Sequence, residues 1–287
     1  MATKKKYTIG IDIGGTNMKA ILFDGEKILS DYSLGTPKDN LEHFLVMLQA
    51  LIEPLLTKAE ELKIKVEGVG LGVAGWLNQE GEILMSPNLP LLNKTKIGEL
   101  LAERIEIPVK IENDANCFVL AEALQGAGKK YESVYGITVG TGIGGGWCLE
   151  GKIFKTKWSG SGEPGHVVVN YAEGLRLEEA YQKLTQNNPS QLAEEAYRGD
   201  VLADKSFEEF GFLLGTSLAN LINLIAPEII ILGGGVIEAS DLFFNSARKS
   251  MKEFIISEEA KKNIKLVKSK LGNNAGAIGA ALLPFYQ

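Results

Sequence analysis

A handful of acidic residues and three glycine turns carry the chemistry this 287-residue chain is equipped to do. Asp12 stands in the middle of the apolar run "IGIDIGG", where a carboxylate is expensive to bury without a purpose. Asp114, in "ENDANC", falls at the start of a predicted helix, a place that favours a negative charge. Taken alone it reads more readily as a helix-capping carboxylate. Glu163 precedes His166 in "GEPGH", and Glu178 and Glu179 follow a dozen residues later. That stretch is open to three readings: an active site, a metal site, or a loop entering a strand.

The glycine turns are "DIGGTN" (12–17), "GTGIGGG" (140–146) and "GGGV" (233–236), each following an apolar run. A turn without Cβ atoms lets backbone N–H groups close on phosphate oxygens, although a tight hairpin explains any single one as well. Gly140, Gly142 and Gly145 match the spacing G-x-G-x-x-G, but "WCLEGKIF" after them reads as a hairpin strand, not the helix that a dinucleotide site opens. "GWCLEGKI" (146–153) falls short of a Walker A loop because Ile153 replaces the metal-binding hydroxyl.

The elements that must position these residues are legible. Tyr7–Ile13, "KAILF" and "KILSDYSL" read as strands separated by a glycine turn and "DG". Apolar residues at 41, 44, 45, 48, 51, 52, 55 and 56 give an amphipathic helix with Pro54 a predicted kink. "VEGVGLGVA" and "PVKIEN" read as strands, "KIGELLAERIE" and "DANCFVLAEAL" as helices. The opening then recurs: Gly10, Gly14 and the Asp24-Gly25 turn return as Gly136, Gly140 and Glu150-Gly151, each 126 positions on (136−10, 140−14, 150−24). A constant offset across punctuating glycines implies two similar α/β units. Helices over 175–186, 190–198, 206–226 and 240–256 follow, with strands at "PEIIILGGGV" and "IKLV" and a last Ala-rich helix from about Ala275. No low-complexity linker divides the halves, so the units are expected to share a cleft.

Composition excludes several classes. A 31.1 kDa chain with 45% hydrophobic residues can bury a large core, and its length favours two domains. The net charge of −6 gives no general attraction to nucleic acid or an anionic membrane. The one basic run, Lys4 to Lys6, reads as a solvated tail. No stretch of about 18 apolar residues is present to span a bilayer, and the N-terminus lacks a signal peptide's apolar core. Cys117 and Cys148 are too few for a disulfide framework or a zinc quartet, read as small buried hydrophobes, and fit a cytoplasmic location.

Two related units gripping a nucleotide between hairpin turns describe the duplicated actin/hexokinase-like (ribonuclease H-like) α/β fold. Within it, the chain resembles the ROK family of sugar kinases and related repressors, through "IGIDIGGTNMKA", "PNLP", "ENDANC", "GTGIGGG", "GEPGH" and "PEIIILGGGV" in that order. The resemblance implies an ATP- and Mg²⁺-dependent hexose kinase. Glucose is the first expected acceptor, an N-acetylated hexosamine (N-acetylglucosamine or N-acetylmannosamine) the second and fructose the third. It implies a smaller domain over 1–115 plus about 274–287 and a larger one over 116–273. Asp114 would take the proton of the attacking hydroxyl. Asn88, Asn113, Glu163, His166, Glu178 and the backbone at Gly75 would hold the sugar, with Glu179 the alternative register for Glu178. Buried amides discriminate strongly, by about 10⁴-fold in favourable cases, because a ligand lacking the hydroxyl leaves them unpaired. Asp12 would hold Mg²⁺ through water. Gly14, Gly15 and Thr16 would touch the terminal phosphates with Thr141 and Gly142 opposite, Lys19 would add charge, and Gly234 and Gly235 would lie against adenosine. A homodimer is also implied, while polyphosphate is an alternative donor.

The chain departs from the family pattern in three places. Many members place a zinc-binding cysteine cluster after the E-x-G-H histidine. The interval "VVVNYAEGLRL" holds no cysteine, and His166 alone cannot supply about four ligands, so no zinc is expected. "GVAGW" (72–76) replaces the usual G-V-P-G-P, and Pro164 stands where an aliphatic residue is usual. The first strand at about Tyr7 leaves no space for the helix-turn-helix module of the family's repressors. An enzyme is therefore expected over a sugar-sensing regulator. His43, on a predicted helix without a motif, is read as a surface residue.

Overall fold

The computed structural model describes residues 5–158 and 160–286, which leaves Lys4 of the basic run outside the described residues. The first half builds β1 (Tyr7–Ile13), β2 (Asn17–Phe23), β3 (Ile28–Gly35), α1 (Leu41–Glu61), β4 (Val66–Val73), the short pair β5 (Trp76–Leu77) and β6 (Ile83–Met85), α2 (Ile97–Ile105), β7 (Val109–Asn113) and α3 (Asp114–Leu124). The second half builds β8 (Ser133–Val139), β9 (Ile143–Leu149), β10 (Lys152–Ile153), β11 (Val168–Asn170), β12 (Leu175–Arg176), α4 (Leu177–Leu184), α5 (Pro189–Tyr197), α6 (Val201–Ile225), β13 (Ile229–Gly233), α7 (Phe244–Phe254), α8 (Glu258–Asn263), β14 (Lys265–Lys268) and α9 (Ala275–Leu282).

The strands form two five-stranded sheets, ordered β3-β2-β1-β4-β7 and β10-β9-β8-β13-β14. In each, the first hairpin strands are antiparallel and the two strands beyond are parallel. The 126-residue offset is therefore a structural duplication: it carries the bounds of β1 onto β8 and those of β2 onto β9. The pairing itself slips. Ile13 faces Met18 across the first turn and Val139 faces Ile143 across the second, so residues 14–17 close one hairpin and residues 140–142, one fewer, the other.

Three apolar layers hold the halves. One core lies between the first sheet and α1 and α2, another between the second sheet and α4, α6 and α7. The third, with Cys117, Phe118, Ala277 and Ile278 fully or nearly buried, is made by α3 and α9 sandwiched between the sheets. The offset glycines explain how the helices get so close. A Cβ at Gly10 would run into the backbone of α9 at Ala277 and Ala281, and one at Gly136 would lie 2.8 Å from Val119 of α3. Each half thus spends a mid-strand glycine, normally unfavourable in a strand, to seat a helix.

Some local expectations shift. Helix α1 continues through Pro54. The predicted helix over 206–226 starts at Val201, because Asp200 caps it by accepting from the Leu202 and Ala203 N–H groups. The predicted 240–256 helix is a 3₁₀ stretch, Gly235–Leu242, followed by α7. The break is at Phe243, where φ is −127° and the ring is buried. The basic run is not a free tail where it is described: Lys5 Nζ lies 2.6 Å from Asp24, and Lys6 stands 4.7 Å over the Phe285 ring. Against the desolvation that would raise it, hydrogen bonds from Lys5, Lys27 and Glu26 hold Asp24 at about 2. His43 is exposed on α1 with Nδ1 2.8 Å from Asp39. Both cysteines are free and buried.

Candidate active site

The cleft is built where strands end. β7 delivers Asn113 as the N-cap of α3, its side-chain oxygen accepting from the Asn116 N–H at 3.0 Å, so Asp114 becomes the first helical residue. Asp114 accepts the N–H of Ala115 at 2.9 Å, and burial raises its pKa despite that bond. The Asn113 amide donates to the Gly75 carbonyl at 3.1 Å, which ties the β4–β5 loop to the helix start. Gly75 itself adopts φ +152°, and a Cβ there would meet the Met85 carbonyl at 2.5 Å. The departure from G-V-P-G-P therefore leaves a loop held by glycine geometry and the Ser86 hydroxyl, which donates to Ala74 at 2.7 Å.

Asp12 sits in β1, cross-strand from Lys19 and beside the first turn of α9, where a Cβ at Gly276 would lie 2.5 Å from its Oδ2. Burial, and then the charge of Asp114, raise Asp12 to about 7, with Lys19 pulling the other way. Lys19 Nζ is engaged elsewhere, donating to Asn274 at 2.5 Å and lying 3.9 Å from Asp31. Beyond Asp12, the Gly14 N–H donates to Asn17 at 3.0 Å, while Thr16 is exposed. A Cβ at Gly15 would come 3.1 Å from the exposed Asn88, so the first phosphate-type turn abuts the "PNLP" loop.

The second half brings its own turn to the same place. Gly140 donates to the Gly142 carbonyl at 2.9 Å, and Thr141 is exposed at its tip. Glu178, on α4, accepts the Ile143 N–H at 2.5 Å and lies against Gly142. Glu179 is exposed and turns away, accepting the Arg176 N–H at 3.0 Å to cap α4. Of the two registers, Glu178 is the one turned onto the second glycine turn. Gly235 has open space where a Cβ would be, while Gly234 (φ +90°) is turned against Val139.

Glu163 joins Asp114 and Glu178. Burial, then those two charges, raise Glu163 to about 7, and the indole N–H of Trp76 pulls it back down. Trp76 also meets the exposed His166 ring edge-on, with centroids 5.8 Å apart. An aromatic residue of the first half thus meets the histidine of the E-x-G-H motif and lines the same cavity as its glutamate. Sequence reasoning missed Trp76; the signal was its place in the departing "GVAGW". It also missed Glu112, buried behind Asn113, which accepts from the Asn113 N–H and the Asn116 amide and pairs with Lys155. A cavity of about 940 Å³ opens on this side, lined by Gly75, Trp76, Asn113, Asn116 and Glu163 among others. Gly145 of the second glycine turn also lines it, whereas Asn88, Asp114, His166 and Glu178 do not.

Among the described residues no group of three or more His, Cys, Asp or Glu is set to hold a metal ion. The Asp12 carboxylate at the end of β1 fits Mg²⁺ carried on phosphates, because Mg²⁺ keeps most of its water and needs only one or two carboxylates. Among the described residues no helix is long and apolar enough to cross a membrane.

The duplicated actin/hexokinase-like fold and the kinases it resembles define the class: a sugar kinase, a hexose phosphotransferase. The chain belongs to the ROK family, whose profile matches residues 8–177 and 170–285. It is 31% identical over 301 residues to an N-acetylgalactosamine kinase of Shewanella sp. (strain ANA-3), covering 96% of this chain and 95% of that one. The ROK hexokinase of Thermus thermophilus superposes with a TM-score of 0.82 at 30% identity, over 96% of this chain and 97% of that one. A ROK family glucokinase of Streptomyces griseus, solved with glucose and AMPPNP, gives 0.80 at 28% identity, over 96% and 98%.

Proposed function

We propose that the chain transfers the γ-phosphoryl group of ATP to a hydroxyl of a hexose, with glucose the first candidate. The observation that carries the reading is the position of Asp114 at the start of α3, beside the Asn113–Gly75 tie, with its charge near enough to Asp12 and Glu163 to raise both. Asp114 accepts the proton as the sugar oxygen forms its bond to the γ-phosphorus. The bond from that phosphorus to the bridging oxygen breaks, and ADP leaves. Burial makes Asp114 a stronger base than a solvated aspartate, which suits a group that must take a hydroxyl proton near neutral pH. Glu163, His166, Glu178, Asn88, Asn113 and the Gly75 backbone orient the hexose. Gly14, Gly15 and Thr16 face Thr141 and Gly142 across the phosphates, and Gly235 with Gly234 borders the adenosine. Lys19 adds positive charge from behind the first turn. Magnesium, when bound, neutralises charge on the phosphates, and Asp12 is the residue that would hold it through water.

Helix α9 packs on β1, β4 and β2, and α3 packs on β8 and β9. That arrangement supports two closing lobes, 1–115 with about 274–287 and 116–273, whose approach excludes water from the nucleotide. The kinship to an N-acetylgalactosamine kinase supports a second reading, an N-acetylated hexosamine acceptor. ADP release across a panel of hexoses and N-acetylhexosamines, with ATP, other nucleotides and polyphosphate as donors, tests both. Turnover of glucose with ATP, lost in Asp114→Asn, is the expected result. No turnover with any sugar, or full activity in the variant, would overturn the reading.

A further inference from the structure

Behind the second glycine turn stands a tyrosine that the proposed chemistry does not use. Tyr181 is fully buried on α4, its ring packed against Phe210 with centroids 4.6 Å apart. Its hydroxyl donates to the Gly140 carbonyl at 2.8 Å, across 41 residues of sequence. One helical turn earlier, Glu178 accepts the Ile143 N–H. Residues three apart share a helix face, so one face of α4 pins the turn at both ends.

The consequence follows from peptide geometry. In a planar trans peptide the C=O and the next residue's N–H point in opposite directions. A hydroxyl that draws the Gly140 carbonyl back toward the core therefore aims the Thr141 N–H the other way, outward from α4 at the exposed tip of the turn. Turning that peptide over would change ψ of Gly140 and φ of Thr141, and the tyrosine hydroxyl opposes any such rotation by holding the carbonyl. Without the tyrosine hydroxyl, the Gly140 carbonyl loses its partner in the core and the direction of the Thr141 N–H is held less firmly.

We propose that Tyr181 is a positioning residue for the donor: by holding the Gly140 carbonyl it presents the Thr141 N–H to the phosphates of the nucleotide. This rests on the donor-turn assignment made above. Tyr181→Phe removes one oxygen and keeps the buried ring, so the core is retained. Losing the hydroxyl frees the Gly140–Thr141 peptide, and the expected weakening of a non-hydrolysable ATP analogue is about tenfold, the scale of one hydrogen bond left unmade. Calorimetric titration of the intact protein without sugar reads this directly. KM for ATP should rise in parallel, while the affinity for hexose alone stays within twofold.

Tyr135→Phe is the control. It loses an equivalent buried hydroxyl, one that donates to the Gly162 carbonyl at 2.8 Å next to Glu163, and should leave nucleotide affinity unchanged. Nucleotide affinity within twofold of wild type in Tyr181→Phe overturns the proposal, as does equal weakening in both variants. The outcomes separate from those of the kinase reading: a protein that binds the analogue but phosphorylates no hexose refutes that reading, and the Tyr181→Phe titration still decides this one. A wild-type chain that binds no analogue refutes both.

Discussion

The two halves of this molecule begin alike and end differently. β1 and β2 map onto β8 and β9 by one offset, yet the third strand has eight residues in the first half and two in the second. Where β3 runs on to Gly35 and leads into α1, the second half leaves the sheet after Ile153 and returns to a long helix only at Val201. That excursion holds Glu163, His166, Glu178 and Tyr181. The helices after the edge strands diverge as well. α3 opens with Asp114, whereas α9 opens with Ala275 and Gly276, which make room for the Asp12 carboxylate. Duplication supplied two glycine turns, and the departures from symmetry supply the residues proposed as the acceptor side and the base.

The comparison can be broken at its most asymmetric point first. Asp114→Asn keeps the helix start and should lower kcat about 10³-fold, within the usual range for losing a general base, with KM for the sugar little changed. Steady-state kinetics check it.

The paired mid-strand glycines come next. At Gly10 a methyl meets backbone of α9, which cannot move alone, and at Gly136 it meets side chains of α3. Gly10→Ala should cost about 3 kcal/mol and Gly136→Ala about 1, following the range for overpacking. Denaturant midpoints of the two variants measure the difference, and equal midpoints would remove this asymmetry.

The two turns differ in the same way. A methyl at Gly142 would press on Glu178, whereas one at Gly15 would make a milder approach to Asn88. Gly142→Ala should reduce kcat/KM about 10²-fold, the scale of a misplaced reacting geometry, and Gly15→Ala clearly less.

The smallest effect sharpens the acceptor side. Glu163 is raised from 4.5 to about 7 in the folded protein, so the folded state binds its proton more tightly than the unfolded one. Stability is therefore lost as pH rises through that interval, and the loss is absent below about 4.5. Glu163→Gln removes the titration and should be more stable than wild type by about 1 kcal/mol above pH 7, after discounting for its access to solvent. The gain should vanish in acid, while hexose binding weakens. Thermal melts at pH 4 and pH 8 check the sign.

How far the sequence could be read depends on the range of the interactions. The strand–turn–strand repeat, the helix starting at Asp114 and the Ala-rich last helix follow from alternation, capping and glycine punctuation within a few residues. The start of α6 and the break at Phe243 escaped because a cap and a buried ring overrode the apolar period. In the acceptor stretch, the choice between Glu178 and Glu179 could not be made by spacing, since adjacent helical residues differ only by direction.

By itself, then, the sequence determined a duplicated α/β chain, its glycine turns and the acids set beside them, because those are written in short-range pattern. Only the tertiary structure decided what the acids meet. Asp12, Asp114 and Glu163 rise together because folding takes their carboxylates out of water, and the charge of Asp114 raises the other two further. Trp76 reaches His166, and Tyr181 reaches Gly140, across separations that no local pattern encodes. Burial and charge proximity are properties of the assembled cleft, and no residue carries them until the two halves close around it.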